Sequence, residues 1–445
     1  MIASRTMGMF DYRARSIIKS VTSILVMASL LFVFPGIVSA QDDNGSHRKT
    51  EKTPAMSQQV YKALTAAQEL VEKKKYKEGL AELRKLEEKK NLSPYEKAQM
   101  YNYFAYTYFT MEKYKDAISS YEKVLQQPDL PTSLVTNSLY TLAQLYFIQE
   151  DYKNAIDMIN RWLKKVDKPT ENAYMLLGQA YYQLQKYKEA LQPLQTAYKI
   201  VKDRNGKPKE NLLLLLRVVY FSLNDYPHMI GVLKELVELY PNSEYWMTLA
   251  GVYSELKEYK KQMSIMEILY DRGELDKGNQ QLNLANLYLL NDVPYKAAVV
   301  LEKGIKEGKI EKNVRNLRLL SQAWIQADYP GKSIGPLKEA TQKSNEGDLN
   351  VRLAQAYINL DRYKEAVETL QEGFRKGGIK RKDEANIMLG MSLFELSKFD
   401  AAKQAFKTAS EDKRSRKTAE QWLSYVHNEQ TRQEQLEKSL KARRR

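Results

Sequence analysis

The chain has 445 residues, with 70 Lys plus Arg against 55 Asp plus Glu, three His and no Cys. The lack of cysteine excludes disulfides, thiolate metal sites, a cysteine nucleophile and a lipidated cysteine, and His47, His228 and His427 are too scattered for a zinc site within one segment. A net charge of +15 permits an acidic partner, a nucleic acid or an anionic membrane without selecting one, and much of the excess lies at the two ends of the chain.

Residues 1–40 follow the order that export requires: a basic start, an apolar core over 21–34, a breaker at Pro35-Gly36, then Val38-Ser39-Ala40 before Gln41. Small residues at Ser39 and Ala40 suit cleavage after Ala40. The apolar core is shorter than the ~20 residues that span a bilayer, which favours cleavage over a permanent anchor. The expectation is a cleavable signal peptide over 1–40, a polar linker over 41–56 and a mature protein in the periplasm.

From there a frame recurs: a small residue, an aromatic three places on, then Tyr or Phe, then Ala. It is clearest at Ala105, Tyr108, Tyr114, Ala117; at Ala143, Tyr146, Tyr152, Ala155; and at Gly178, Tyr181, Tyr187, Ala190. The frame residue returns at positions 67, 105, 143, 178, 217, 250, 285, 321, 354 and 390, a period of 33 to 39 residues. That spacing predicts helix-turn-helix repeats, with a small residue where two helices approach closely. Pro131, Pro169 and Pro241 fall where one repeat ends and the next begins.

These residues resemble the tetratricopeptide repeat (TPR) family. The resemblance covers 57–416 and implies an all-α, right-handed superhelical solenoid of about ten TPR hairpins, followed over 417–445 by a capping helix and basic tail. Departures are local. Arg217 replaces the small residue, and Pro294 and Pro330 replace the aromatic that opens the second helix, so a shifted turn is expected there. Residues 201–210, containing Asn205-Gly206 and Pro208, read as a longer polar connection and a flex point. In the capping helix, Trp422, Val426, Leu436 and Leu440 are in phase on one face.

Chemistry is absent from the pattern. There is no phosphate-binding GxxxxGK[ST], GxSxG, HExxH or dinucleotide glycine motif, and Gly377-Gly378 and the stretch from Gly331 to Gly335 read as turns between helices. A catalytic carboxylate pair needs a cleft to separate its pKa values, and pairs such as Glu87-Glu88 sit in charged runs. The reading is of a protein that is not an enzyme and needs no cofactor or metal.

The TPR resemblance implies a concave groove for a helix or extended peptide, lined by the residue after each small one. Here those residues include Tyr106, Gln144, Gln179, Asn286, Gln322, Gln355 and Met391, with Val218 and Gly251 between. A row of carboxamides can donate to and accept from a peptide backbone without reading its sequence. The Lys and Asn pair by which some TPR domains clamp a terminal carboxylate occurs in no repeat.

A narrower resemblance rests on Asn316 to Trp324, Leu353 to Tyr363, Ala385 to Met391 and Arg414 to Trp422. These runs look like exported proteobacterial TPR proteins associated with TonB-type energy-transduction systems. The resemblance implies a periplasmic adaptor whose partner is a protein or peptide, such as a TonB-type system subunit, in support of outer-membrane transport. Alternatives are a scaffold for envelope assembly or polysaccharide export, and a non-catalytic subunit of a cell-wall-modifying enzyme. No nucleic acid is expected, and membrane contact is at most peripheral, through the basic tail.

Overall fold

The computed structural model describes residues 54–443. The expected signal peptide, the linker as far as residue 53, and Arg444-Arg445 lie outside the described residues. Among the described residues there are 21 α-helices and no strand. They follow one another as ten pairs and a final helix: α1 (Gln58–Glu72) and α2 (Tyr76–Glu87), α3 (Pro94–Thr110) and α4 (Tyr114–Leu125), α5 (Thr132–Ile148) and α6 (Tyr152–Leu163), α7 (Glu171–Gln183) and α8 (Tyr187–Asp203), α9 (Glu210–Ser222) and α10 (Tyr226–Leu239). Next come α11 (Ser243–Glu255) and α12 (Tyr259–Asp271), α13 (Gly278–Leu290) and α14 (Pro294–Lys306), α15 (Val314–Gln326) and α16 (Pro330–Gln342), α17 (Gly347–Ile358) and α18 (Tyr363–Lys376), α19 (Lys382–Glu395) and α20 (Phe399–Ser410), and α21 (Arg416–Arg443). The chain divides into two compact units, Met1–Val252 and Tyr253–Arg445, with the boundary inside α11.

Most of these helices are 12 to 17 residues long, too short to be stable alone in water, so their stability comes from the apolar face each buries. In α6 that face is Ala155, Met158 and Ile159, spaced as one side of a helix requires. In the first unit Leu139, Leu142, Leu145, Val124 and Ile159 meet in one cluster. In the second unit Leu353 and Leu370 centre one cluster, and Leu393, Phe406 and Val426 another.

One turn is used ten times. After the first helix of every pair a non-glycine residue takes positive φ: Lys74, Glu112, Glu150, Gln185, Asn224, Lys257, Asp292, Asp328, Asp361 and Ser397. The next residue then donates its backbone N–H to the carbonyl five residues back, as in Lys186 to Tyr181 and Asp151 to Tyr146, both 2.9 Å. This closure satisfies carbonyls that the helix end would leave open. The proline pairs form the same turn, with Val293 donating to Tyr288 at 2.8 Å and Tyr329 to Trp324 at 2.9 Å. The expected shift at Pro294 and Pro330 therefore does not occur. Proline at the first helical position gives up an N–H that has no helical partner there, and it only moves the preceding residue to φ near −120°.

The recurring small residues are buried between the helices of a pair. A Cβ on Gly178 would lie 2.5 Å from Leu194 Cγ, and one on Gly390 would lie 2.6 Å from Phe406 Cε1. Arg217 is the exception. It is half-buried in α9, a helix whose Leu212, Leu213, Leu215, Leu216, Val218 and Val219 are all buried. Burial pulls the pKa of its guanidinium down, and Glu244, Tyr245 and Tyr182 oppose that loss.

Three further expectations are corrected. Residues 201–203 belong to α8, and the connection after it is tied on both sides: Lys207 Nζ donates to Leu239 O at 3.0 Å, Tyr240 OH to Pro208 O at 2.8 Å, and Arg204 to Glu171 at 2.9 Å. Gly331 and Gly335 lie within α16, not in a turn. In α21 only the first half caps the array: Val426 is fully buried and Trp422 stacks on Phe406 at 5.4 Å, whereas Leu436 and Leu440 are exposed. The cause is length. A helix of 28 residues runs ~42 Å, and the 12 residues of α20 reach only ~18 Å along it.

Candidate functional site

The expected row lies on the side of each pair's first helix that neither its own second helix nor a neighbour covers. In α13 the buried residues are Gln281, Leu284, Ala285, Leu287 and Tyr288, and in α15 they include Leu317, Leu320, Ser321, Ala323 and Trp324. Among the residues left outside that packing, half-buried Leu282, Arg318 and Val351 each stand four places before an amide, Asn286, Gln322 and, in α17, Gln355. Each amide follows a buried small residue, Ala285, Ser321 or Ala354, so the three hold the same register. Asn286, Gln322 and Gln355 are all exposed.

Their hydrogen-bonding capacity is partly used. Asn286 Nδ2 donates to Leu282 O at 2.8 Å, within its own helix, and Gln355 Nε2 donates to Asn359 Oδ1 at 2.8 Å. A carboxamide has two N–H donors and an oxygen with two lone pairs, so each keeps both functions toward an incoming backbone. On the same helices Arg318 lies 3.9 Å from Glu346, and Arg352 lies 3.9 Å from half-buried Asp348, both in loose pairs. A shallow cavity of about 340 Å³ adjoins the stripe at Leu282, between the starts of α13 and α15, where Asn279, Lys309 and Asn316 line it.

The other expected site residues do not continue this row. Gln144 is only 3% exposed and already has a partner, so it is a structural amide within the first unit's packing. It sits among Leu142, Ala143 and Leu145, all fully buried, on a helix covered on more sides than the repeat pattern implies. Tyr106 is half-buried and engaged, and Gln179 is half-buried. Met391 packs with Phe394 and Trp422 in the cluster that joins the last pair to α21. Residues missed in the sequence are Ile325, Gln326 and Asn359, exposed beside the amides. Their signal was available: each lies three or four residues beyond a row residue, one helical turn away.

Among the described residues every carboxylate with a displaced pKa is displaced downward, as at Glu267 by Lys296 and at Glu339 by Lys312, so none is held protonated as a general acid. Asp383 is the most strongly held. The Arg381 side chain donates to it at 2.9 and 3.1 Å and Ser415 Oγ at 2.8 Å, so its carboxyl lies well below the usual range and ties α19 to the start of α21. No group of His, Asp and Glu among the described residues is arranged to hold a metal ion.

Family models for the tetratricopeptide repeat match residues 98–127 and 347–375, and each match spans one helix pair, α3 with α4 and α17 with α18. A model for subunit 3 of the anaphase-promoting complex, cyclosome, matches residues 121–197. Among solved structures the chain is similar to the TPR2AB domain of yeast Sti1 in its pHSP90 complex, at 15% identity over 60% of this chain and 99% of that one, TM-score 0.34. It is similar to a tetratricopeptide repeat protein from Parabacteroides merdae, at 15% identity over 58% and 98%, TM-score 0.33. YrrB, described as a TPR protein with an unusual peptide-binding site, aligns at 18% identity over 39% and 85%, TM-score 0.33. No curated protein matches the chain at a significant level.

Proposed function

We propose that this chain, an array of tetratricopeptide repeats, is a non-catalytic scaffold that holds a protein partner through the amide stripe of its second unit. The observation that carries the reading is the shared register of Asn286, Gln322 and Gln355, exposed on three successive first helices beside the apolar Leu282 and Val351. Backbone-directed amides with apolar neighbours suit an extended or helical segment, gripped for its main chain more than for its sequence.

Export and context are the finer part of this reading. The signal-like order of residues 1–40 supports a periplasmic protein. The runs from Asn316 to Trp324 and from Leu353 to Tyr363 support an accessory of a TonB-type system, with one of its subunits as partner. Those runs include Gln322 and Gln355 themselves.

The test is a binding assay between the purified chain and a purified TonB-type system subunit. Gln322→Ala with Gln355→Ala should weaken binding about tenfold, the loss of ~1.4 kcal/mol expected for two hydrogen bonds. The helical signal and Tm should not move. If the subunit binds the double variant as it binds the parent, the amide stripe is not the docking surface. If it does not bind the parent, the TonB assignment fails.

A further inference from the structure

Two loops of the second unit concentrate positive charge. Residues 375–384, from the end of α18 into α19, hold five Lys and Arg against two acids, and residues 411–417, between α20 and α21, hold four against two. The loops are distant in sequence, and one carboxylate joins them. Asp383 accepts from the Arg381 side chain and from Ser415 Oγ at 2.8 Å, and Arg414 stands 3.6 Å from its other oxygen. Asp383 and Ser415 are both buried, so the junction is part of the packing between α19 and the start of α21.

The first loop is also held from behind. Gly377 and Gly378 take φ of +78° and +71°, the left-handed turn that glycine permits, and the Gly347 N–H donates to Gly377 O at 2.8 Å. Lys376 Nζ donates to Thr341 O at 2.6 Å, and Ile379 is buried. The basic residues that follow therefore start from a fixed backbone, and the two loops form one knuckle at the edge of the array.

Most of the arginines here are already engaged. Arg375 pairs with Glu372, Arg381 with Asp383 and Glu384, and Arg414 with Asp412 at 2.8 Å. Lys380, Lys382, Lys413, Arg416 and Lys417 are exposed and form no ion pair among the described residues, and one unpaired acid, Glu411, stands against them. Their chemistry selects the partner. An acidic peptide is best gripped by guanidinium forks, and here those forks face the chain's own carboxylates. A single strand of nucleic acid needs rings for its bases to stack on, and neither loop holds an aromatic residue. What remains is a cluster made mostly of lysines, point charges that suit the diffuse field of an anionic lipid surface.

We infer that this knuckle docks the chain on an anionic membrane surface. The contact lies apart from the basic tail in which the sequence places peripheral membrane contact, because the 28 residues of α21 run ~42 Å from the knuckle to the tail. The knuckle shares no residue with the amide stripe, so the membrane contact and the proposed function fail separately.

Co-sedimentation with lipid vesicles tests this, using the chain from Gln41, as cleavage after Ala40 leaves it, so that the apolar core over 21–34 cannot insert. Phosphatidylcholine vesicles with about 30% phosphatidylglycerol should bind the chain and pure phosphatidylcholine should not, and binding should fall at least tenfold between about 0.05 and 0.5 M salt. Lys380→Gln with Lys382→Gln, and separately Lys413→Gln with Lys417→Gln, should each weaken binding roughly tenfold with an unchanged helical signal. Lys441→Gln with Arg443→Gln, in the tail, should leave it nearly as it was. Binding that both loop pairs leave intact overturns the inference. So does a parent chain that ignores the anionic vesicles, whether or not it captures polyglutamate or a DNA duplex instead.

Discussion

Ser57 and Glu96, 39 positions apart, are joined through a single carboxylate oxygen: the Ser57 backbone N–H donates to Glu96 Oε1 at 3.0 Å and its hydroxyl at 2.7 Å. The other oxygen accepts from the N–H and hydroxyl of Ser93, both at 2.9 Å. One nearly buried side chain thus caps the start of α3 and fastens the start of α1 to it.

Burial alone would raise the Glu96 pKa, but the donors from Ser57 and Ser93 outweigh it and hold the carboxyl at about 2, below its ordinary 4.5. A depressed folded pKa contributes stability that is fully present above the ordinary value and is lost as the pH falls through about 4.5 toward 2. Thermal melts between neutral pH and pH 3 should show that loss. Glu96→Gln, which sets an N–H against donors, should cost roughly 1 to 3 kcal/mol at neutral pH and flatten the acid limb. An unchanged acid limb in the variant would mean that other carboxylates govern it.

Gly178→Ala should destabilise the protein even though alanine favours a helix. The new methyl would meet Leu194 Cγ at 2.5 Å, and Leu194 is fully buried with no room to withdraw. The expected cost is ~1 to 3 kcal/mol, larger for Gly178→Leu. Denaturant titration measures it, and a stabilised Gly178→Ala variant would show that α7 and α8 can separate freely.

Gln185→Gly should have the opposite effect. Gln185 is exposed, and its φ of +57° lies in the left-handed region that a side chain disfavours by about 1 kcal/mol. Relief of that strain is partly offset by the greater freedom of glycine in the unfolded chain, so a gain of ~0.5 kcal/mol and a small rise in Tm are expected. A fall in Tm would locate a contribution of the Gln185 side chain itself.

Much of the array is legible in the sequence, because packing repeats chemically. Ala105, Ala143 and Gly178 recur where two helices touch, and their spacing reports helix pairs without any knowledge of how the pairs stack. The turns are less legible. Glycine is the usual sign of a left-handed residue at a helix end, and none of the ten turns within pairs uses it; Lys74, Gln185 and Asp328 take that conformation because the stacked helices leave the chain no other route.

The site divides along the same line. That Gln144, Gln322 and Gln355 share one register is a property of sequence, fixed by helical period. That Gln144 is buried while Gln322 and Gln355 are exposed was decided by the tertiary structure, since burial depends on what neighbouring helices cover. The same holds for α21, where one apolar phase runs from Trp422 to Leu440 and the short reach of α20 leaves its second half open. Sequence by itself determined which residues can pack, because helical periodicity and residue size are local. Which of them do pack, and which remain for a partner, followed only from the lengths and contacts of helices distant in the chain.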